Sequence, residues 1–435
     1  MKLNVAAVAK EHTHEGAVSP VINPEKQLRR SVMACMLWED TFYESGEDIA
    51  ARISSLVQTV GFEKSAAIAI EAREKMKLRH APLLIARGCA QMKAGKKMGD
   101  LLERIIQRPD ELTEFLAIYW KDRKRPLAAQ VKRGLARAFR KFNEYALAKY
   151  NRQDAIKLRD VLFLSHAKPK DEEQAALWKR LIAGELATPD TWEVELSAGK
   201  DKKETFERLM AKKKLGALAF LRNLRNMEEA GVGAKIMRSY LAELKLDRVL
   251  PFRFISAARY APKMEDALEA AMYRSLESVE KLSGKTCVVV DNSGSMHGAR
   301  VSARSEIDRS DAACALAILV REICEDALII GFGNEAKIIP ARRGFALAEA
   351  IKKGPGGGTM TDNALALAEK EGYDRIIVIT DEQSHQMVRS PAAKGYFVNV
   401  AVYKNGIGYG KWTHIDGWSE AIIDYIRMAE NNSVA

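Results

Sequence analysis

Aromatic residues are only 7% of these 435, and the five cysteines (Cys35, Cys89, Cys287, Cys314 and Cys324) form no CxxC pair. Few aromatics with abundant Leu, Ile, Val and Ala favour helices packed by aliphatic side chains. An odd, scattered set of cysteines among apolar neighbours excludes a disulfide framework and predicts buried free thiols in a reducing compartment. No apolar run approaches a membrane span, and residues 1–10 lack the apolar core of a signal peptide, so a soluble, cytoplasmic protein is expected. Catalytic signatures are missing too. Ser293 is flanked at two positions by Asp291 and Ser295, where a nucleophile elbow needs glycines. Trp412 stands where the Gly406–Lys411 loop would need the Ser or Thr of a P-loop, and GFGNEA at 331–336 lacks the third glycine of a dinucleotide fingerprint. A binding protein is expected, not an enzyme.

Positive charge is present, and it is unevenly placed. Residues 1–280 hold 51 Lys+Arg against 39 Asp+Glu, while residues 281–435 hold 18 against 19. A polyanion would therefore be met by the first part of the chain. The centre of the excess is 121–170, with 15 Lys+Arg against 4 Asp+Glu. Its middle, PLAAQVKRGLARAFRKFNEYALAKY (126–150), reads as one helix. Val131, Leu135, Ala138, Phe139 and Phe142 form an apolar stripe, with Lys132, Arg133, Arg137, Arg140 and Lys141 about half a turn away. So few acids to neutralise these cations point to phosphate binding over a merely solvated face. In VLFLSHAKPK (161–170), a helix end runs into a proline-limited basic loop, where His166 either meets nucleic acid or caps the helix.

From 27 to about 260 the chain reads as successive amphipathic helices, among them 27–38, 49–60, 65–76, 82–92 and 215–227, the last with Leu218, Leu221 and Leu224 as core. Residues 1–24 read as an extended arm, in which His12 and His14 lack the further ligands of a metal site. The helical series has no fixed sequence period, so the prediction of stacked HEAT-like or armadillo-like pairs is architectural.

Past 281 the grammar changes to that of a doubly wound α/β sheet: strands at 286–291, 327–332, 375–380 and 396–402, a short antiparallel piece at 336–339, and helices near 308–323, 345–353, 362–371 and 418–429. The stretch 285–295, KTCVVVDNSGS, is a buried strand that releases Asp291, Ser293 and Ser295 at its carboxyl end. One carboxylate and two hydroxyls make a hard-oxygen set suited to Mg²⁺ or Mn²⁺. The glycine-rich loop GPGGGTMTDNAL (354–365) offers Thr359, Thr361 and Asp362, and RIIVITD (375–381) ends in a second carboxylate, Asp381.

These three pieces in this order resemble the metal-ion-dependent adhesion site of von Willebrand factor A domains. The resemblance maps the cation ligands onto Asp291, Ser293, Ser295, Thr359 and Asp381; Thr361-Asp362 is an alternative alignment of the loop. Preceded by RGLARAFRK, LSHAKP, LRNLRNM and LPFRFISAARY, the whole chain is similar to the Ro autoantigen (TROVE module) family, bacterial branch. The resemblance implies an arm (1–24), a HEAT-like helical-repeat region (25–280) forming a monomeric ring, and an A domain (281–435). It implies Y-like small noncoding RNA on the basic outer surface, single-stranded ends of misfolded RNA in the central hole, and partnership with a 3′ exonuclease, polynucleotide phosphorylase. It assigns RNA contact to Lys132, Arg133, Arg137, Arg140, Lys141, Lys149, Arg152, His166, Lys168 and Lys170. The reading from another class is a metal-dependent protein-interaction module whose basic region docks an acidic protein.

Overall fold

A computed structural model describes residues 12–13, 15–19, 22–33, 46–75, 78–92, 94–151, 155–246, 249, 251–298, 307–401, 406–417 and 421–431. Packing divides them into two compact units. One holds the described residues of 24–38 and 46–201; the other holds those of 1–23 and 202–435. Among the described residues, no helix is long and apolar enough to cross a membrane.

The first unit is helical: α1 (Pro24–Met33), α2 (Gly46–Val60), α3 (Phe62–Glu74), α4 (His80–Cys89), α5 (Lys97–Ile105), α6 (Pro109–Tyr119), α7 (Ala129–Phe139), α8 (Glu144–Tyr150), α9 (Leu158–Ser165), α10 (Glu172–Ala183) and α11 (Trp192–Ser197). Odd-numbered helices pack on one another from α1 to α9, and even-numbered ones from α2 to α10. Two layers built from alternate helices are what a stack of helical pairs produces, since each pair buries its apolar face only against the next. Two small residues permit one close approach. A Cβ at Gly134 on α7 would lie 2.8 Å from Leu102 Cβ and 3.0 Å from the Gly99 carbonyl on α5. A buried ion pair ties the layers: Arg73 Nη2 on α3 donates to Glu111 Oε1 on α6 at 2.7 Å, and Arg73 Nε donates to the Ile105 carbonyl at 2.9 Å. Removing one partner of such a pair costs about 3–5 kcal/mol, because the other charge is left buried alone.

Three expectations are corrected. The single helix over 126–150 is two helices, α7 and α8, with a turn at 140–143 where Asn143 Oδ1 accepts from Ala146 N at 2.9 Å. Asparagine at an N-cap satisfies a donor that the helix itself leaves unpaired, so the apolar period continues while the axis does not. Leu218, expected in the core, is 45% exposed, whereas Leu221 and Leu224 are buried. Residues 12–19 are not an extended arm. His12 and Val18 pair, Thr13 Oγ1 donates to the Ser384 carbonyl at 2.7 Å, and Ser19 Oγ donates to the Gly406 carbonyl at 2.9 Å. His14 and Cys35 lie outside the described residues; Cys89, Cys287, Cys314 and Cys324 are buried free thiols.

The second unit continues with α12 (Lys202–Ala211), α13 (Ala217–Glu229), α14 (Ala234–Glu243), α15 (Pro251–Tyr260) and α16 (Glu265–Leu276). Then come β1 (Leu282–Asp291), α17 (Arg309–Ile323), β2 (Cys324–Phe332), β3 (Ala336–Ile338), α18 (Gly344–Lys352), α19 (Thr361–Glu371), β4 (Arg375–Thr380), β5 (Lys394–Asn399), β6 (Thr413–Asp416) and α20 (Ala421–Asn431). Packing therefore places α12–α16 with the sheet, although the sequence changes grammar only near 281. The reason is visible in the contacts. Arg259 on α15 pairs with the buried Asp311 of α17 at 2.7 Å, and Phe345 N donates to Glu269 Oε1 on α16 at 2.8 Å.

Among the described residues the sheet has six strands in the order β3-β2-β1-β4-β5-β6, parallel except for β3. Cys287 and Val289 share a core with Ala364, Leu365 and Ala368 of α19. Val288 and Val290, pointing to the opposite face, are equally buried, as a central parallel strand requires. Strand β6 was not foreseen, and β5 starts and ends earlier than the 396–402 reading. The crossing of chain direction on either side of β1 sets the carboxyl ends of β1 and β4 side by side, where such folds hold ligands.

Candidate nucleic-acid face and metal pocket

On the helical unit, the structure separates cations that face solvent from cations already engaged. Arg137 pairs with Asp100 at 2.6 Å and with Glu103, and the hydrogen bond to Asp100 raises its pKa. Lys141 Nζ donates to the carbonyls of Glu103 and Ile106 where α5 ends, and burial lowers its pKa. Both thus complete the α5–α7 contact, a lysine at a helix carboxyl end satisfying carbonyls the helix leaves unpaired. Lys149 is half-buried, its Nζ 3.9 Å from Glu193. Arg152 lies outside the described residues.

Lys132, Arg140, His166 and Lys168 come together between α7 and the end of α9. Arg133, Lys168 and Lys170 are exposed, the last 3.6 Å from Asp171. Arg140 Nε donates to the Lys168 carbonyl at 2.7 Å, which fixes the basic loop beside the end of α7. His166 ends α9 in the left-handed region, with φ of +53°, and its ring Nε2 lies 3.4 Å from Lys132 Nζ. The histidine therefore terminates the helix, and its ring lies beside Lys132. Sequence reasoning missed the adjacent Trp120, Lys124 and Phe163, which line a cavity of about 520 Å³ with Lys132 and His166. A signal was present: in VLFLSH four apolar residues run consecutively, so a helix must turn one outward, and Phe163 is 58% exposed.

In the sheet unit, Asp291, Ser293, Ser295, Thr359, Thr361 and Asp381 are all buried. Ser293 N donates to Asp291 Oδ1 at 2.8 Å, and the hydroxyls of Ser293 and Ser295 lie 3.3 Å apart. Thr380 Oγ1 donates to Asp291 Oδ2 at 2.5 Å. The glycine loop reaches this point because side chains are absent from it. A Cβ at Gly357 would lie 2.4 Å from Asn334 Nδ2, and Gly294 N donates to the Gly357 carbonyl at 2.8 Å. Thr359 is then held by the segment after β4: its carbonyl accepts from Ser384 Oγ and its N–H donates to His385 Nδ1, each at 3.1 Å. Arg389 engages both oxygens of Asp362, at 2.7 and 2.9 Å.

Burial, and then the neighbouring Asp381 carboxylate, push Asp291 up to about 7. Arg309 Nη1 lies 3.5 Å from Asp381 Oδ2 and offsets part of that charge. Thr361 Oγ1 is buried and makes no hydrogen bond among the described residues. Two neighbouring carboxylates and four hydroxyls, one of them the orphaned Thr361 Oγ1, fit a hard cation. Among the described residues no three His, Cys, Asp or Glu side chains gather as zinc would require. Glu382, next to Asp381, holds φ of +61°, a conformation uncommon outside glycine, with its carboxylate buried against His414.

Residues 169–275 match the family model of the TROVE domain. The chain carries a TROVE domain. The TROVE segment starts just past His166, contains Lys170 and runs through α10–α16. Over 102 residues the chain is 34% identical to telomerase protein component 1 of Mus musculus, which is 21% of this chain and 4% of that protein. The fold is that of the Ro (RSR) protein of Deinococcus radiodurans, whose crystal structure matches with a TM-score of 0.64 over 92% of this chain and 98% of that one, at 18% identity.

Proposed function

We propose that this TROVE-bearing chain is an RNA-binding ribonucleoprotein component acting in the cytoplasm, without catalytic activity of its own. It holds small structured Y-like noncoding RNA on the cationic face of α7–α9 and takes single-stranded ends of misfolded RNA within the ring that the family resemblance implies. The observation that carries the reading is the clustering of Lys132, Arg140, His166 and Lys168. Segments separated in sequence present these groups together, and Arg133 and Lys170 are further exposed cations of the same unit. Phosphate oxygens are the ligand such a surface suits, and the released counterions make binding fall steeply with salt.

In the sheet unit Asp291, Ser293, Ser295, Asp381 and either Thr359 or Thr361 would hold Mg²⁺ or Mn²⁺. The cation, when bound, supplies an open coordination position for an acidic side chain of a partner. A 3′ exonuclease of the polynucleotide phosphorylase class is the partner this reading names. The buried oxygen pocket also favours a second reading, in which the chain is chiefly a metal-dependent protein-interaction module and its basic region docks an acidic protein. Affinity purification of the full chain with and without nuclease separates the two. Small RNA recovered with the chain before digestion supports the first reading, and an acidic protein partner recovered with no RNA, before or after digestion, supports the second.

A further inference from the structure

Within the cationic face lies a cavity whose walls differ from the rest of it. Trp120 and Phe163 provide aromatic surface; Lys124, Arg125, Lys132 and His166 provide positive or hydrogen-bonding edges. Trp120 Nε1 is spent on the Arg125 carbonyl at 2.8 Å, which locks the indole in place, and Lys124 Nζ lies 5.4 Å from the ring centroid. Phe163 has no such restraint and is 58% exposed, because α9 stops at the left-handed His166 before another turn can cover it. No acidic residue lines the cavity among the described residues. The contrast is a second cavity of about 260 Å³, where Glu144, Asp171 and Glu173 face Arg140, Lys170 and Arg180, and where Arg180 already pairs with Glu144 at 2.8 Å. Only the first is both apolar and uncompensated. Its volume of about 520 Å³ falls in the range of roughly 300–1,000 Å³ usual for small-ligand sites.

We propose that this cavity is a nucleobase-binding subsite: an unpaired base of bound RNA stacks on Phe163 while the flanking phosphates meet Lys124, Arg125 and Lys132. An apolar protein segment would bury Phe163 equally well, but it would bring no anion to Lys124, Arg125 and Lys132. A nucleotide satisfies both, since every base has a π-face and every nucleotide carries a backbone phosphate. The inference rests on the RNA-binding reading above and deepens it: the face would grip backbone along its length and take one splayed base here.

The test uses the full chain and a fluorescent single-stranded RNA of five uridines, beside the same strand with an abasic central ribose. Removing either the base or the ring should weaken binding by roughly 5- to 100-fold, the usual scale for one base–aromatic stack. Phe163→Ala is therefore expected to bind both strands at the level of wild type with the abasic strand, with an unchanged salt slope, and Phe163→Trp is expected to restore the difference. Lys124→Gln and Lys132→Gln should each flatten the salt slope by about 0.7 while preserving discrimination against the abasic strand. If wild type binds both strands equally well and Phe163→Ala changes neither, the subsite is overturned, and the aromatic wall serves a protein segment or nothing. If wild type binds a structured small RNA but neither short strand, only this inference fails. Failure with every RNA removes the functional reading beneath it.

Discussion

Thr380 Oγ1 donates a 2.5 Å hydrogen bond to Asp291 Oδ2, so the last residue of β4 fixes the carboxylate that ends β1. Asp381 follows Thr380 directly. The parallel pairing of β1 with β4, Val290 opposite Ile379, brings the two carboxylates together at one end of the sheet. The strand register thus assembles the pocket.

Asp291→Ala or Asp381→Ala should abolish Mn²⁺ binding measured by calorimetry and leave RNA affinity within about twofold. Thr380→Val removes only the orienting hydrogen bond, and loss of such an outer partner typically weakens a metal site by about 10- to 100-fold. Thr359→Val and Thr361→Val distinguish the loop ligand, since only one of them should lower Mn²⁺ affinity by tenfold or more. Parallel loss of metal and RNA binding in the aspartate variants would show that the two sites are not separate.

Cations of the α7–α9 region should divide by what they already touch. Arg133→Glu and Lys168→Glu, with exposed side chains, should weaken RNA binding tenfold or more while leaving Tm within a degree or two. Lys141→Ala leaves the last carbonyls of α5 unsatisfied and should cost about 1 kcal/mol of stability, read as a lower urea midpoint. Equal Tm for all three variants would contradict the division.

How much of this was legible in the sequence follows from how local each signal is. β1 and β4 were readable because β-branched runs ending in aspartate have no helical alternative at that length. β6 escaped because Thr413–Asp416 is short and mixed, and only pairing with β5 makes it a strand. The break between α7 and α8 was hidden by an apolar period that continues through it, although Asn143 before Glu144 was the available cap signal. Arg137 and Lys141 looked like free cations because their partners lie more than thirty residues away, on α5. The same distance concealed the cavity formed by Trp120 and Phe163.

Acidification tests the ion pair that holds Asp362 against Arg389. Its hydrogen bonds to Arg389 hold the carboxyl below the usual carboxylate range. A depressed folded pKa contributes stability that is present above the unfolded value of about 3.9 and is lost as pH falls through the folded one. Asp362→Asn should therefore lower the unfolding midpoint at pH 7, and the gap from wild type should close as the pH falls below about 4. A gap that persists unchanged at the lowest pH where the fold survives would mean that the pair contributes nothing through its charge.

The central proposal is that the cationic face of α7–α9 holds a phosphodiester chain. The most direct measurement is the affinity of the full chain for a structured small noncoding RNA between about 50 and 200 mM salt, for wild type and for Lys132→Gln/Arg133→Gln/Lys168→Gln. The predicted result is a steep log–log decline for wild type, shallower by about 0.7–0.9 per lysine or arginine removed. A flat salt dependence, or a triple variant indistinguishable from wild type, would contradict it.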